Sequence, residues 1–308
     1  MSKFEFIPTD QQINESNIHK FMKQYEISSL EELSQKSIND LEWYWEAVSK
    51  DVGIVWNSPY SKILDSSKGI MWSKWFVNGK TNIYTSSVEK FVKETPEKTA
   101  YHFVSEDNSV KTLTYVQLDQ QVSKLANGLK SIGVQRGDVV AIYLPMIEEA
   151  IITILASAKI GAVQTVIFSG YSTESLHVRL KDCNAKVLFV SDGFHRKGKS
   201  ISQKGSTSKA LEDTSVEKTI VVNYKNIDSY EKSDSLIFYS DLVSTQSEIC
   251  STEIMDSEDP LFILYTSGTT GKPKGVVHTH GGFSVFAGHQ AAYLIDLHSN
   301  DVLFWPAD

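Results

Sequence analysis

Apolar and polar positions follow two rhythms along this chain. Tyr115, Leu118, Val122, Leu125, Leu129 and Ile132 recur at three- and four-residue steps, the one-faced pattern of an amphipathic helix. Thr114 is placed to cap its start and Gly133 to stop it. Residues 139–144 then form an unbroken apolar run closed by Pro145, which predicts a buried parallel strand. The alternation continues with a helix over 148–160 ending at Gly161, a strand over 163–168, a helix over 173–183 and a strand over 186–190. A poorly formed helix over 199–211 and a strand over 219–222 follow. Strands alternating with helices predict an α/β fold, parallel sheet flanked by helices. Ahead of this core, 85–93 reads as a short amphipathic helix, and 99–104 with 110–113 as a hairpin turning at 106–108. Beyond it, 223–256 reads as an irregular polar excursion, 260–265 as a buried strand and 276–279 as a short β-prone run. Residues 281–297 predict a helix with Phe283, Phe286 and Ala287 inward, and 302–305 a strand.

The first 84 residues have another character. Residues 15–25 and 29–49 predict surface helices, with Ser29 or Ser37 as N-cap. Trp43, Tyr44, Trp45, Trp56, Tyr60, Trp72, Trp75 and Phe76 then crowd a loop-rich stretch. Such rings can cage a ligand, but they more commonly anchor irregular chain onto a core. The chain thus divides into 1–84 and 85–308.

Composition narrows the function. The 308 residues are 41% hydrophobic, enough for a sizeable core, and carry a net charge of −8. That balance disfavours a nucleic-acid or membrane-surface binder, which needs a basic face. The near-apolar run 150–163 is too short to span a bilayer and contains Lys159. The first ten residues have no apolar run of the secretory kind. Cys183 and Cys250, far apart, make neither a metal site nor a disulfide framework; reduced thiols in the cytoplasm are expected, with Cys183 in the core.

Two stretches carry chemistry. The first is Thr266-Ser267-Gly268-Thr269-Thr270-Gly271-Lys272-Pro273-Lys274-Gly275, between two apolar runs. Glycines let the backbone approach a ligand, while amides, hydroxyls and ammonium groups meet anionic oxygens. A polar turn between strands is the simpler reading, yet the density of hydroxyls and lysines favours phosphate. It is not a Walker A loop, since Pro273 follows Gly271-Lys272 where that motif has Ser or Thr. The second lies beyond the carboxyl ends of two predicted parallel strands, where ligands of open α/β sheets bind. Phe168-Ser169-Gly170-Tyr171 follows one strand; Asp192-Gly193-Phe194-His195-Arg196-Lys197-Gly198-Lys199 follows the next. Basic groups beside glycines form either an anion pocket or a solvated loop. His278 and His280 would share a face if both lay in a strand; with no acidic or thiol partner close in sequence, a structural or phosphate-neighbouring role is preferred.

The 266–275 loop resembles the signature of the adenylate-forming enzymes, which include acyl-CoA synthetases, luciferases and peptide-synthetase adenylation domains. Asp40-Leu41-Glu42-Trp43-Tyr44-Trp45-Glu46-Ala47-Val48 and Trp75-Phe76-Val77-Asn78-Gly79-Lys80-Thr81-Asn82 resemble the N-terminal extension of the acetyl-CoA synthetase branch. The resemblance implies a two-step ligase: a short-chain carboxylate (acetate, propionate or 3-hydroxypropionate) attacks ATP to give acyl-adenylate and pyrophosphate. The CoA thiol then displaces AMP. It assigns Thr266, Ser267, Gly268, Thr269, Thr270, Gly271, Lys272 and Lys274 to the ATP and pyrophosphate oxygens. Ser169, Gly170, Arg196 and Lys199 would meet CoA; Lys199 stands where the family usually has arginine, and keeps the charge without the bidentate geometry. Mg²⁺ is implied, with no ligand assignable in this sequence. The resemblance further implies that the carboxylate pocket, the hinge and a small C-terminal domain with a catalytic lysine would follow Asp308. The 308-residue chain alone is therefore expected not to complete the reaction, leaving an ATP- and CoA-binding fragment or an unstable product as alternatives.

Overall fold

The computed structural model describes residues 7–105, 108–196, 198–266 and 272–305. Four helices open the chain: α1 Asp10–Glu15, α2 Asn17–Gln24, α3 Leu30–Asn39 and α4 Leu41–Asp51. Side-chain oxygens of Thr9, Ser16, Ser29 and Asp40 accept from backbone amides at their N-termini, satisfying donors the helix leaves free. Ser29 is thus a cap, whereas Ser37 lies inside α3. Strands β1 Lys62–Asp65 and β2 Lys74–Val77 pair antiparallel, and β3 Lys80–Thr81 follows. The clustered aromatics are packing, except Trp72, which is exposed. Phe21, Met22, Val48, Ile63 and Phe76 are buried together, and Trp43, Tyr44, Trp45, Trp56, Tyr60 and Trp75 lie against them.

A π-helical turn, Thr85–Glu89, leads into α5 Lys90–Glu94 where a single helix was expected. The expected hairpin is β4 Thr99–Val104 with β5 Val110–Thr114; its tip, residues 106 and 107, lies outside the described residues. Next come α6 Tyr115–Ser131, β6 Val139–Tyr143, α7 Glu148–Lys159, β7 Val163–Val166, α8 Thr173–Asp182 and β8 Val187–Ser191. Thr114 and Gln117 close a reciprocal capping box on α6. The expected helix over 199–211 is instead a small hairpin, β9 Phe194–Arg196 with β10 Lys199–Ile201, and a short helix, α9 Lys204–Ala210.

After β11 Lys218–Val222, the stretch expected to be irregular contains β12 Leu236–Phe238, α10 Tyr239–Ser244 and β13 Met255–Asp256. Strands β14 Pro260–Thr266 and β15 Lys274–Thr279 flank the Gly/Ser/Thr loop, and α11 His280–His289 ends in a π-helical turn, Gln290–Leu294. Residues 302–305 are not a strand and stand exposed. A β-prone apolar run forms a strand only where a neighbour accepts its ladder, and none pairs with it among the described residues.

The main sheet has the order β12-β11-β8-β6-β7-β14-β15, parallel throughout except for the antiparallel pair β14–β15. Successive residues of a strand point to opposite faces. Val140 and Ile142 accordingly join the core under α6 and α7, while Ala141 and Tyr143 join the core under α8 and α9. Central β6 is covered on both sides, which is why it reads as an unbroken apolar run. Strand β14 lies next to the edge, and of 260–265 only Leu261 is fully buried.

Candidate functional site

The carboxyl ends of β7, β8 and β14 face the same side of the sheet, as their parallel pairing requires. At the end of β14, Tyr265 pairs with Gly275 and Thr266 with Lys274, so Thr266 and Lys274 form the stem of the loop. Both are exposed, as is Lys272. Ser267, Gly268, Thr269, Thr270 and Gly271 lie outside the described residues. The stem is held from below. The Tyr265 hydroxyl donates to Asp182 Oδ2 at 2.6 Å, and burial together with that carboxylate pushes the phenol pKa up. A Cβ on Gly275 would stand 2.9 Å from Ile263 Cγ2 and 3.3 Å from the Tyr265 ring, so the hairpin closes tightly only with glycine there.

The second constellation assembles across the sheet. Strands β7 and β8 flank β6, which brings the turn after one against the hairpin after the other. A Cβ on Gly170 would stand 2.8 Å from Arg196 Nη1 and 2.7 Å from the Phe168 ring. The Arg196 guanidinium lies 4.9 Å from the Phe168 ring centroid, a cation–π arrangement. Ser169 is buried, Gly170 and Arg196 are adjacent, and Lys199 pairs with Arg196 across the β9–β10 hairpin. Both basic side chains are exposed.

Sequence reasoning took Asp192 as part of this anion-facing loop, but its carboxylate is buried and turned the other way. It accepts from the backbone amides of Tyr224 (2.7 Å), Lys225 (3.1 Å) and Ile227 (3.1 Å). Asp228 makes a matching set, accepting from Ser202 Oγ (2.8 Å) and the amides of Gln203 and Lys204 (3.0 Å each). The two carboxylates clamp the base of the hairpin. Gly193 completes it: at φ +136° a Cβ would lie 2.7 Å from Ile201 O. An aspartate just after a strand, followed by glycine, is the only sequence signal for this clamp.

The two histidines do not share a strand face. His278 is in β15, stacked on Phe262 at 4.5 Å, whereas His280 is the buried first residue of α11. The strand ends at Thr279, and helical backbone from His280 onward turns its ring away. Cys183 is buried, and desolvation pushes its thiol up to about 11, which suits a core residue and not a nucleophile. Both cysteines are free. Among the described residues no cluster of three or more His, Cys, Asp or Glu could hold a metal ion. No helix among them is long and apolar enough to cross a membrane.

A parallel α/β sheet with a phosphate-type loop and a basic hairpin at its carboxyl edge is the arrangement of an adenylate-forming domain. Residues 88–308 match the AMP-binding enzyme family, and the chain belongs to that family. Residues 30–86 match the acetyl-coenzyme A synthetase N-terminus, which sets the chain in the acetyl-CoA synthetase branch. It is 44% identical over 299 residues to acetyl-coenzyme A synthetase of Methanothrix thermoacetophila, covering 96% of this chain and 45% of that protein. The same enzyme of Helicobacter pylori strain HPAG1 is 39% identical over 297 residues, covering 94% and 44% respectively. In structure the chain is similar to acetoacetyl-CoA synthetase from Streptomyces lividans, with a TM-score of 0.90 at 26% identity, covering 97% of this chain and 47% of that one. The chain thus spans a little under half the length of these relatives.

Proposed function

We propose that this chain supplies the nucleotide- and CoA-handling loops of an AMP-forming acyl-CoA synthetase. The reaction joins a short-chain carboxylate to CoA through an acyl-adenylate, releasing pyrophosphate and AMP. In this reading residues 1–84 are the extension of the acetyl-CoA synthetase branch and 85–308 are AMP-binding domain. Thr266, Lys272 and Lys274, with Ser267 to Gly271 between them, neutralise and orient the ATP phosphates, since phosphoryl-type displacement needs mainly positioning and charge neutralisation. Arg196 and Lys199 receive the 3′-phosphate of CoA, and Ser169 and Gly170 let the cofactor pass close to the backbone. The two free cysteines suit a reducing compartment, and the cytoplasm is the proposed location.

The observation that carries this reading is the packing of Arg196 against Gly170, two residues assigned to one ligand and brought together from different strand ends. Calorimetric titration of the 308-residue chain with CoA and with 3′-dephospho-CoA tests it. CoA should bind more tightly than the dephospho form. Arg196→Ala should remove that preference, weakening CoA about 10- to 100-fold, as loss of a charged hydrogen bond to phosphate does. Equal affinity of the wild-type chain for the two cofactors would rule out the assignment. An assay for acetyl-CoA from acetate, ATP and CoA, run on the same preparation, separates binding from turnover.

A further inference from the structure

Helix α8 carries a buried cation that neither loop accounts for. Arg179 is 6% exposed. Its Nη1 donates to the Ser175 carbonyl and to Ser175 Oγ, both at 2.7 Å. No carboxylate forms an ion pair with it among the described residues. A guanidinium stays charged at any pH a protein survives, and burying one without a counter-ion is costly. What surrounds it in place of a carboxylate is aromatic. Its Cζ lies 4.6 Å from the Tyr171 ring centroid and 5.5 Å from that of Tyr265.

Those tyrosines belong to different loops. Tyr171 directly follows Ser169-Gly170, at the carboxyl end of β7. Tyr265 directly precedes Thr266, at the stem of the phosphate-type loop. Each is fixed at its other end. The Tyr143 hydroxyl donates to the Tyr171 carbonyl at 2.8 Å, and the Tyr265 hydroxyl donates to Asp182 at 2.6 Å. Tyr171 also meets the Phe168 ring edge-on at 5.4 Å, and Phe168 in turn carries Arg196. Strands β7 and β14 are joined by the registered pair Phe262 with Gln164 and by the Thr165 hydroxyl, which donates to the Ile263 carbonyl at 2.9 Å. Beyond these strand ends, side chains carry the contact from one loop to the other. Among the described residues, Arg179 is the cation that stacks on the aromatic anchor of both.

We propose that Arg179 is a positioning residue that couples the CoA-side turn to the phosphate-loop stem through Tyr171 and Tyr265. Naming the ligands of the two loops rests on the reading above; the mechanical coupling does not. A planar guanidinium stacks on two ring faces where an ammonium cannot, so the conservative change to lysine keeps the charge and loses the wedge.

Hydrogen exchange on the 308-residue chain, wild type and Arg179→Lys, reads the coupling without any ligand. Exchange should quicken about tenfold in both 168–172 and 262–266, the loss of a desolvated cation–π contact, while α6 and β6 keep their protection. Tyr171→Leu, which removes one ring and leaves the arginine in place, should quicken the same two segments. Faster exchange in only one segment, or only in α8, would overturn the proposal, as would no change in either. A second arm uses CoA and inorganic pyrophosphate. In the wild type, saturating CoA should alter pyrophosphate affinity; Arg179→Lys should bring that ratio to about one, whereas Arg196→Ala weakens CoA and leaves the ratio intact at saturation. If the wild-type chain binds neither ligand, the functional reading fails and the exchange result still decides the coupling.

Discussion

His280 shows how one side chain can set a pH response. Its ring is fully buried at the start of α11. The Ile83 amide donates to Nδ1 at 3.4 Å, which leaves the proton on Nε2, and Nε2 has no hydrogen-bond partner. Burial is the dominant cause that pushes the pKa down to about 4; Asp259 pulls it up and Arg136 pushes it down by smaller amounts. An unfolded histidine titrates near 6.5. Between those values the unfolded chain binds a proton that the folded chain refuses. This residue therefore costs the fold nothing above about pH 6.5 and destabilises it progressively as pH falls toward 4. The expected loss from pH 7 to pH 5 is about 2 kcal/mol. His280→Gln should flatten the pH dependence by that amount, measured as the difference in urea unfolding free energy at the two pH values. The same loss in variant and wild type would show that another group is responsible. Sequence reasoning treated His280 as a twin of His278 by starting the helix one residue late, at 281; Thr279, a residue type favoured at helix N-caps, is the N-cap of α11, although its side chain makes no capping hydrogen bond.

At the scale of elements, α6 and α10 meet through a glycine. A Cβ on Gly128 would stand 2.9 Å from Leu242 Cγ and 3.0 Å from the Leu242 carbonyl oxygen. Alanine is favoured over glycine by about 1 kcal/mol inside a helix. Here part of the opposing contact is backbone, which a side-chain rotation cannot relieve, and overpacking of this kind costs about 1–3 kcal/mol. Gly128→Ala should therefore lower stability despite the gain in propensity, seen as a lower Tm by calorimetry; a higher Tm would mean that α10 yields freely. The two elements differ in how far the sequence disclosed them. Helix α6 was fully legible, with a long apolar stripe, a Thr114 cap and a stop at Gly133, whose φ is +89°. Helix α10 was not, nor was β12. Each is too short to show a period, and β12 owes its place to parallel pairing with β11. The candidate site divides in the same way. The stem residues Thr266 and Lys274 are close in sequence and could be read directly. Gly170 and Arg196 are not, and only the strand order β8-β6-β7 brings them together. Arg179 was invisible for a related reason: an arginine on a helix reads as solvated until the sheet that buries it is known.

The whole molecule is asymmetric in its surface. One side of the main sheet ends in β12, only three residues long; the other ends, among the described residues, in the six-residue β15. Val276 and Val277 on that last strand are exposed on opposite faces, and Leu264 on the neighbouring strand is exposed as well. An apolar strand with one open row of amides and carbonyls is a template for pairing with another chain. What opposes such pairing is charge, a net −8 on the chain. Repulsion of that kind is screened within about 10 Å at 0.1 M salt, while the apolar and hydrogen-bonding attraction along the strand is not. Self-association of the 308-residue chain should therefore rise with sodium chloride. Val277→Lys, placing an ammonium on the open strand, should suppress it at a stability cost within about 0.5 kcal/mol, since the position is exposed. Light scattering across a salt series measures the first effect and urea unfolding the second. Association that persists unchanged in the lysine variant would locate the contact elsewhere, with the exposed run 302–305 the next surface to examine by the same substitution.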